Sequence, residues 1–335
     1  MRGSWRWAAA AAVLLGLALL FLPAKANDSL ARLSAGGLVL EQTDAIALRS
    51  EDLFVSAVRI SVDYVFENVT AAPVEALIAF PLPPVDAART YQVGTDRPAE
   101  LGFIDFETRV DGRPAPAAEE HVRVYALDDG RDVTARLAEL GIAGTRLAPF
   151  GVQAEPMAGI FAGLSNEEAE ALVARLEAEG LYADRGRGFA EPAWRTEVTY
   201  LWRLNLPPGE PVSVRHSYRP IAGQSFLFAD AEGEARFRET FCASDREWQA
   251  LRRLADAPMA PLVVEIGYIL RTGNNWAGPI GRFRLTLDKD DPNSVLTLCW
   301  NGRLEKVSPT RFVFEAENFE PEADLLLAIT VPHRS

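Results

Sequence analysis

Alternating apolar and polar positions fill the first third of the chain and predict β-strands. One face of the segment VRISVDYVF carries five apolar or aromatic side chains: Val58, Ile60, Val62, Tyr64 and Phe66. This period of two is typical of a strand with one buried face, because successive side chains point to opposite sides of a sheet. Further strands are predicted over 74–80, 103–110 and 121–127, with turns rich in Pro, Asn, Asp and Gly between them.

The middle of the chain changes to a helical period. The segment SNEEAEALVARLEAEG places Ser165 and Glu168 at capping-box spacing, and Gly180 follows the last turn. A Ser followed three residues later by Glu, and a Gly just past the end, are signals for the start and the end of a helix. We interpret 131–191 as a helical insertion whose apolar stripe packs on a sheet. An exposed stripe that binds a partner is the alternative.

Alternation returns after the insertion. Apolar and aromatic residues recur from Trp194 to Leu206 and again from Val212 to Tyr218, and the connection LPPGEP predicts a β-hairpin between these strands. A short helix with a second capping box begins at Ser244. Five more strands are predicted over 262–271, 282–287, 294–300, 311–316 and 325–331.

These elements predict a mainly β fold of sandwich-like antiparallel sheets with a helical insertion in the middle. Strands outnumber helices. Strands and helices do not alternate along the chain, so a parallel sheet is not expected. The predicted organisation is a leading segment, 1–26, followed by one domain, 27–335. Within that domain we expect two β subdomains, 27–130 and 192–335, on either side of the insertion.

The first 26 residues have the layout of a signal peptide. Two arginines precede an apolar run over 8–22, and Ala24 and Ala26 are small residues at the positions that a signal peptidase requires. Cleavage between Ala26 and Asn27 would leave a periplasmic or secreted protein without a stable membrane anchor. An uncleaved anchor is the alternative, although the run is shorter than the roughly 20 residues of a spanning helix.

The two cysteines of the chain, Cys242 and Cys299, follow this segment. An exported protein meets an oxidising compartment, which favours one intrachain disulfide between them. Two buried free thiols are the alternative.

Acidic residues outnumber basic ones, and the formal net charge is −13. Removal of residues 1–26 takes away three basic residues and no acid, which moves the charge to −16. Nucleic acids and anionic membrane surfaces attract clustered Lys and Arg, so this balance argues against both as partners.

No catalytic or metal-binding motif is recognisable. The three histidines, His121, His216 and His333, lack metal-ligand spacing, and no nucleophile elbow or phosphate-binding loop follows a strand. His216 lies on the apolar face of its strand, which favours a core histidine over a catalytic base. The acidic segment 288–293, DKDDPN, departs from the order of a calcium loop and is interpreted as a solvated hairpin turn. The sequence therefore predicts no catalytic residue, no metal ligand and no cofactor.

Aromatic residues are the remaining candidates for binding. Five tryptophans follow residue 26, and four of them fall on predicted strands or a helix, where packing in the core is the default. Only Trp276 lies in a loop, RTGNNWAGPIG, next to Asn274 and Asn275. We expect Trp276 to fold back over the end of the sheet. An exposed ring in a binding loop formed by these three residues is the alternative.

With these segments in view, the chain resembles an exported bacterial family known as domain of unknown function 4424. The matching segments include NDSLARLSAGGLVL, IAFPLP, HSYRPIAG, YILRTGNNWAGPIGRFRLTLDK and LCWNG, and they extend over nearly the whole chain after residue 26. The resemblance implies one exported domain without an established activity. It also makes a pairing of Cys242 with Cys299 more credible, since both lie in matching segments.

A fainter similarity concerns the first third of the chain. The segment FENVTAAPVEALIAFPLPPVD followed by FETRVDGRP is similar to the vault/inter-alpha-trypsin type of β-sandwich module. This similarity bears on the fold and not on the function.

Three functions remain open. The leading hypothesis is an exported, non-catalytic protein that binds a protein or a cell-envelope component, because no nucleophile, metal cluster or cofactor loop is recognisable. One alternative is a hydrolase of envelope polysaccharide, which requires two carboxyl groups in one cleft beside exposed aromatic rings. The other is a carbohydrate-binding module, which requires an exposed aromatic platform such as Trp276 or a neighbour.

Overall fold

The computed structural model describes residues 29–34, 37–82, 84–87, 104–115, 119–142, 161, 163–186 and 188–332, with side chains from residue 42 onward apart from that of Val85. The predicted signal segment, its cleavage site at Ala26 and Asn27, and His333 lie outside the described residues. In this part of the chain, no helix is long and apolar enough to cross a bilayer.

Twenty strands and four α-helices have described bounds. The strands are β1 (Ser29–Ser34), β2 (Gly37–Glu41), β3 (Ile46–Ser56), β4 (Ile60–Asn68), β5 (Val74–Pro81), β6 (Val85–Asp86), β7 (Glu107–Val110), β8 (Arg113–Pro114), β9 (Glu119–Ala126), β10 (Tyr182–Asp184), β11 (Ala190–Pro192), β12 (Trp194–Leu206), β13 (Pro211–Tyr218), β14 (Ala222–Phe226), β15 (Leu262–Tyr268), β16 (Ile280–Asp288), β17 (Val295–Leu298), β18 (Glu305–Lys306), β19 (Arg311–Phe319) and β20 (Leu325–Val331). The helices are α1 (Thr134–Glu139), α2 (Asn166–Ala178), α3 (Ala231–Phe241) and α4 (Asp245–Ala255), and a 3-10 helix spans Arg271–Asn275.

An eight-stranded sheet forms one layer of the fold. Its strand order is β18-β19-β16-β3-β4-β13-β7-β8. The strands β16 and β3 run parallel, and the other neighbours in this sheet are antiparallel. The turn between β7 and β8 has Asp111 and Gly112 at positive φ, which is the backbone geometry that a tight hairpin requires.

Two further sheets pack against one face of the eight-stranded sheet. The first has the order β2-β1-β5-β12-β6, with β9 also paired to β12, and the second has the order β14-β15-β20-β17. Apolar side chains of all three sheets belong to one core. In that core the hydroxyl groups of Tyr64 and Tyr268 lie 3.1 Å apart, and the ring of Trp202 lies 4.6 Å from that of His216. This arrangement confirms the predicted mainly β, sandwich-like fold.

The helical insertion packs on the sheet where β9 ends and β12 begins. Leu172 and Leu176 of α2 and Leu137 of α1 are buried in a second core together with Trp194. The apolar stripe therefore packs on the sheet, as expected, and is not exposed to a partner. The capping box is present as well, with Ser165 and Glu168 bonded reciprocally.

A third core lies under the other two helices. Phe237 and Phe241 of α3 and Trp248 and Leu251 of α4 are buried against the four-stranded sheet. The predicted capping box at Ser244 begins α4.

Two predicted hairpins are wrong, because the chain changes sheets at each of them. The strand β12 pairs with β5 and β9, whereas β13 pairs with β4 and β7 in the opposite layer. Likewise, β16 belongs to the eight-stranded sheet and β17 to the four-stranded one. Strands from both sides of the insertion consequently share their sheets and their main core, so the segments 27–130 and 192–335 do not form separate sandwiches.

Candidate functional site

Trp276, the sequence candidate for a binding platform, is buried. The residue is 4% exposed, and its ring packs against Phe66 with centroids 4.8 Å apart. The backbone before it is also fixed, because the amide of Thr43 donates to the carbonyl of Asn275 at 2.8 Å. Asn274, Asn275 and Trp276 are therefore part of a structural connection and offer no exposed aromatic platform.

This loop supports a neighbouring segment. One carboxylate oxygen of Asp324 accepts hydrogen bonds from the amides of Leu270 and Arg271, both at 3.1 Å, and the other accepts from Arg271 Nη2 at 3.1 Å. The side-chain amide of Asn274 donates to the carbonyl of Pro321 at 2.9 Å. The residues before Trp276 thus anchor the connection between β19 and β20.

That connection forms one wall of a cavity of about 420 Å³, called the aromatic pocket below. Its other walls come from β19 and from the residues that follow β17. Three aromatic and three acidic residues belong to the lining: Trp300, Phe314, Phe319, Glu320, Glu322 and Asp324. Among the residues that the structure describes, no Lys, Arg or His belongs to this lining.

The rings of the aromatic pocket hold one another in place. Phe319 stacks on the buried Phe283 with centroids 4.4 Å apart, and Trp300 stands edge-on to Phe314 at 5.2 Å. Gly302 lies tightly against the second pair, since a Cβ there would be 2.3 Å from a ring carbon of Phe314 and 2.6 Å from Trp300 Nε1. This position has no room for a side chain.

The carboxylates of the pocket differ in how they are neutralised. Asp324 is paired with Arg271, as described above. Glu322 accepts a hydrogen bond of 3.3 Å from the side-chain amide of Asn301. Neither Glu320 nor Glu322 forms an ion pair with any residue that the structure describes, so both leave negative charge beside the rings.

A disulfide fixes one edge of the aromatic pocket. Cys242 ends α3 in the left-handed conformation, and Cys299 directly follows β17; the two sulfurs are bonded, with Cα atoms 5.0 Å apart. Because Cys299 precedes Trp300, the bond ties the segment that carries the indole to a helix.

Sequence reasoning placed Trp300 at the end of a strand and in the core. The strand β17 ends two residues earlier, at Leu298, and Trp300 lies in the following turn, partly exposed. The other four tryptophans of the described chain are buried: Trp194, Trp202, Trp248 and Trp276. An Asn-Gly pair, Asn301 and Gly302, follows Trp300. Such a pair is a turn signal, and it indicated that Trp300 lies outside the strand.

The outer face of the eight-stranded sheet is charged. One register row crosses six strands and consists of Glu315, Arg284, Asp52, Asp63, Arg215 and Arg109. Two clefts lie on this face, and their linings share Val58, Arg59 and Arg215. Val58 was expected on the buried side, but it is 68% exposed because it lies in the turn before β4.

The first of these clefts is acidic, with a volume of about 460 Å³. Asp288 and Asp290 lie in its lining together with Phe54 and Arg311. Burial alone would raise the pKa of Asp288, but hydrogen bonds from Arg311 at 2.6 Å and from the amide of Asp290 at 3.0 Å hold that pKa below its usual value. Burial, and then the charge of Asp288, raise the pKa of Asp290.

The segment 288–293 is not the solvated hairpin turn that was expected. Asp288 and Lys289 are buried, and Lys289 Nζ donates to the carbonyl of Pro292 at 2.6 Å and to that of Ser294. Burial lowers the pKa of Lys289, and the nearby Lys306 lowers it further. The segment crosses between two sheets, which explains why Asp288 and Lys289 are enclosed, whereas Asp290, Pro292 and Asn293 are exposed.

The two histidines that the structure describes, His121 and His216, lie on strands of different sheets. His216 is buried between aromatic rings, and its Nδ1 lies 3.1 Å from the hydroxyl of Thr108, as suits a core histidine. His121 lies on β9, where burial lowers its pKa. Over the described ranges, no group of three or more His, Cys, Asp or Glu residues is placed to hold a metal ion.

Comparison with solved structures gives distant similarities. A proposed nutrient binding protein from Legionella pneumophila is 13% identical with a TM-score of 0.43, over 92% of this chain and 71% of that one. An M1 zinc metallopeptidase from Deinococcus radiodurans is 9% identical with a TM-score of 0.24, over 86% and 43% respectively. Similarity at this level carries no conclusion about this chain.

Sequence families give a clear assignment. No curated protein matches the chain. A family model, described as Domain of unknown function (DUF4424), matches residues 26–327, which include every residue of the aromatic pocket and both cysteines. The protein therefore belongs to the family Domain of unknown function (DUF4424).

Proposed function

We propose that this protein is an exported, non-catalytic binding protein, periplasmic or secreted, whose aromatic pocket binds an organic cation. The cation would be a basic side chain of a partner protein or an amine of a cell-envelope component. One observation carries the proposal: Trp300, Phe314 and Phe319 line a cavity together with carboxylates, and no basic residue of the described ranges joins them.

The chemistry of the lining favours a cation over other ligands. The faces of aromatic rings carry partial negative charge and attract ammonium and guanidinium groups, and the attraction increases when the cation is desolvated. Glu320 and Glu322 add full negative charges at the same place. The acidic net charge of the protein, −13, also raises the local concentration of cations.

The wall of the pocket is organised before any ligand arrives. The disulfide at Cys299, the Asp324 hydrogen bonds and the tight contact at Gly302 each restrict one side of it. Preorganisation of this kind lowers the conformational entropy that the protein must lose when a ligand binds. The pocket therefore supports binding without a large rearrangement.

Titration with simple probes tests the proposal. Benzylammonium and choline, added at low ionic strength, are expected to change the fluorescence of Trp300 and to give heat in calorimetry. N-acetylglucosamine is the neutral comparison. The double variant Glu320→Gln, Glu322→Gln should weaken binding of the cations at least tenfold, whereas Glu210→Gln, an exposed turn residue, should not change it.

Two results would overturn the proposal. No response to either cation, with a folded protein, would remove the aromatic pocket as a cation site. Binding of the sugar and not of the cations, abolished by Trp300→Ala, would instead assign a carbohydrate-binding module.

Hydrolysis of envelope polysaccharide is a second candidate function. It is favoured by Asp288 and Asp290, which share the acidic cleft and whose pKa values are displaced in opposite directions. An acid and a base in one site need such a difference. Release of reducing sugar from purified cell wall, lost in Asp290→Asn and kept in the Glu320→Gln, Glu322→Gln variant, would support it. Absence of release by the unmodified protein would eliminate it.

A further inference from the structure

Four arginines surround the second cleft on the outer face of the eight-stranded sheet. This cleft has a volume of about 510 Å³, and its lining includes Arg59, Arg109, Arg215 and Arg219. Asp105 and Glu107 are its acidic members. Such a concentration of arginine is unexpected in a chain whose net charge is −13.

Strand pairing brings two of the arginines together, and the other two lie beside the neighbouring strand ends. Arg109 on β7 stands directly opposite Arg215 on β13. At the end of the same strand, Ile60 pairs with Tyr218, and the residues next to them, Arg59 and Arg219, both line the cleft. Like charges opposite each other destabilise a sheet. The fold keeps one such pair, Arg109 and Arg215, at this cavity.

The acids nearby neutralise only part of this charge. Arg219 Nη2 lies 2.7 Å from Asp105, and Arg215 Nη1 lies 3.6 Å from Asp63, an exposed pair on the sheet surface. Within the described part of the chain, Arg59 and Arg109 take part in no ion pair. Their two guanidinium groups are available to an anion in the cleft.

We propose that this cleft binds a phosphate group. Guanidinium groups present parallel N–H donors that match the oxygens of a phosphate in bidentate geometry. A phosphate monoester carries about two negative charges at neutral pH, which complements the excess of four arginines over two acids in the lining. Ser217, also in the lining, offers a hydroxyl donor. The site lies away from the aromatic pocket and takes a ligand of opposite charge, so it is independent of the function proposed above.

Isothermal titration calorimetry with inorganic phosphate and with glycerol phosphate, at low ionic strength, tests the proposal. A titration with sodium chloride at the same ionic strength is the reference. The double variant Arg59→Gln, Arg109→Gln should weaken phosphate binding at least tenfold. Arg203→Gln, an exposed surface arginine on β12, is the matched control and should bind as the unmodified protein does. Thermal unfolding is a second readout. Without phosphate, Arg109→Gln should have a higher Tm than the unmodified protein, because a like-charge pair is removed. Phosphate should raise the Tm of the unmodified protein but not that of Arg109→Gln.

Sedimentation with lipid vesicles distinguishes two sources of the phosphate, an anionic lipid headgroup and a soluble ester. Co-sedimentation with phosphatidylglycerol vesicles but not with phosphatidylcholine vesicles, lost in the double variant, would assign the phosphate of an anionic lipid headgroup. Binding of the soluble phosphates alone would assign a soluble ester. Failure of phosphate and vesicles alike, or an equal response in the double variant and in Arg203→Gln, would overturn the proposal.

Discussion

Trp276 and Phe66 pack with ring centroids 4.8 Å apart, and this contact joins the loop after β15 to the central strand β4. The same loop holds Asp324 and Pro321 on its other side. The contact therefore connects the main core with the wall of the aromatic pocket. A residue that resembled a ligand platform in sequence instead stabilises the segment on which the candidate site is built.

Replacement of Trp276 by Ala should consequently destabilise the whole fold. Removal of a buried indole costs about 3–5 kcal/mol, since both apolar contacts and a cavity are involved. Phe228→Ala, at a residue that is 57% exposed, is the control and should change stability by less than about 0.5 kcal/mol. Urea unfolding followed by circular dichroism measures both. A loss of under about 1 kcal/mol for Trp276→Ala would contradict the role assigned to this ring.

Local signals predicted the local structure. Ser165 with Glu168, and Ser244 with Glu247, are capping boxes in sequence and in the structure, because a capping box depends on residues only three positions apart. The alternation of apolar residues likewise predicted the strands, since it depends only on the geometry of one strand.

Long-range pairing could not be predicted in the same way. The segment LPPGEP has the composition of a hairpin turn, yet β12 and β13 enter different sheets because each pairs with strands far away in sequence. The aromatic pocket could not be predicted for the same reason. Trp300, Phe314 and the wall at Asp324 are brought together by the crossing between sheets, and no short segment contains that information.

Asn68 begins the sequence Asn68-Val69-Thr70, which fits a glycosylation sequon, but it should be a structural residue. Its side-chain amide donates to the carbonyls of Ala72 at 2.7 Å and Leu206 at 2.9 Å, and the residue has no exposed surface. Asn68→Asp would place a carboxylate against two carbonyl oxygens and leave both without a donor, at a cost of at least about 3 kcal/mol. Asn318→Asp, at an exposed position, is the control.

Thermal unfolding measures both Asn variants, and mass spectrometry after expression in a glycosylating host checks the sequon. We expect no glycan on Asn68 in the folded protein. A glycan at this position, or equal stability of the two variants, would be incompatible with the hydrogen bonds described.

The disulfide should stabilise both the fold and the aromatic pocket. Cys242 and Cys299 are 57 residues apart, and the entropy of closing a loop of this length corresponds to about 4 kcal/mol. The double variant Cys242→Ser, Cys299→Ser should lose stability of this order, and iodide should quench Trp300 fluorescence more strongly in it. Reducing agent is the control: it should shift the unmodified protein towards the variant and leave the variant unchanged. An unchanged Trp300 quenching curve would show that the pocket does not depend on this bond.

Asp288 and Asp290 should make opposite contributions to stability, with opposite dependence on pH. The pKa of Asp288 is lowered in the folded protein, so its contribution is favourable above the unfolded pKa of about 3.9 and is lost as the pH falls through the folded pKa. The pKa of Asp290 is raised, so its ionised form opposes folding at neutral pH, and this cost disappears as the pH falls below about 3.9.

Matched Asp-to-Asn variants measure this difference. At pH 7, Asp288→Asn should lower Tm and Asp290→Asn should raise it, and both differences from the unmodified protein should shrink towards pH 3.5. Asn is tolerated at the positive φ of position 290, so the second variant adds no backbone strain. Differences of the same sign at pH 7, or differences that grow with acid, would refute the assignment.

Gly302 should be required for the shape of the aromatic pocket. A methyl group there would lie 2.3 Å from Phe314 and 2.6 Å from Trp300 Nε1, so Gly302→Ala must displace one of the two rings. Displacement of packed rings costs about 1–3 kcal/mol and opens the edge-on contact that orients the indole. We expect a shifted Trp300 emission maximum and at least tenfold weaker binding of benzylammonium, while Arg303→Ala, at the adjacent exposed position, should leave both unchanged. If Gly302→Ala alters stability but not the affinity for the cation, the rings are structural and the ligand binds elsewhere.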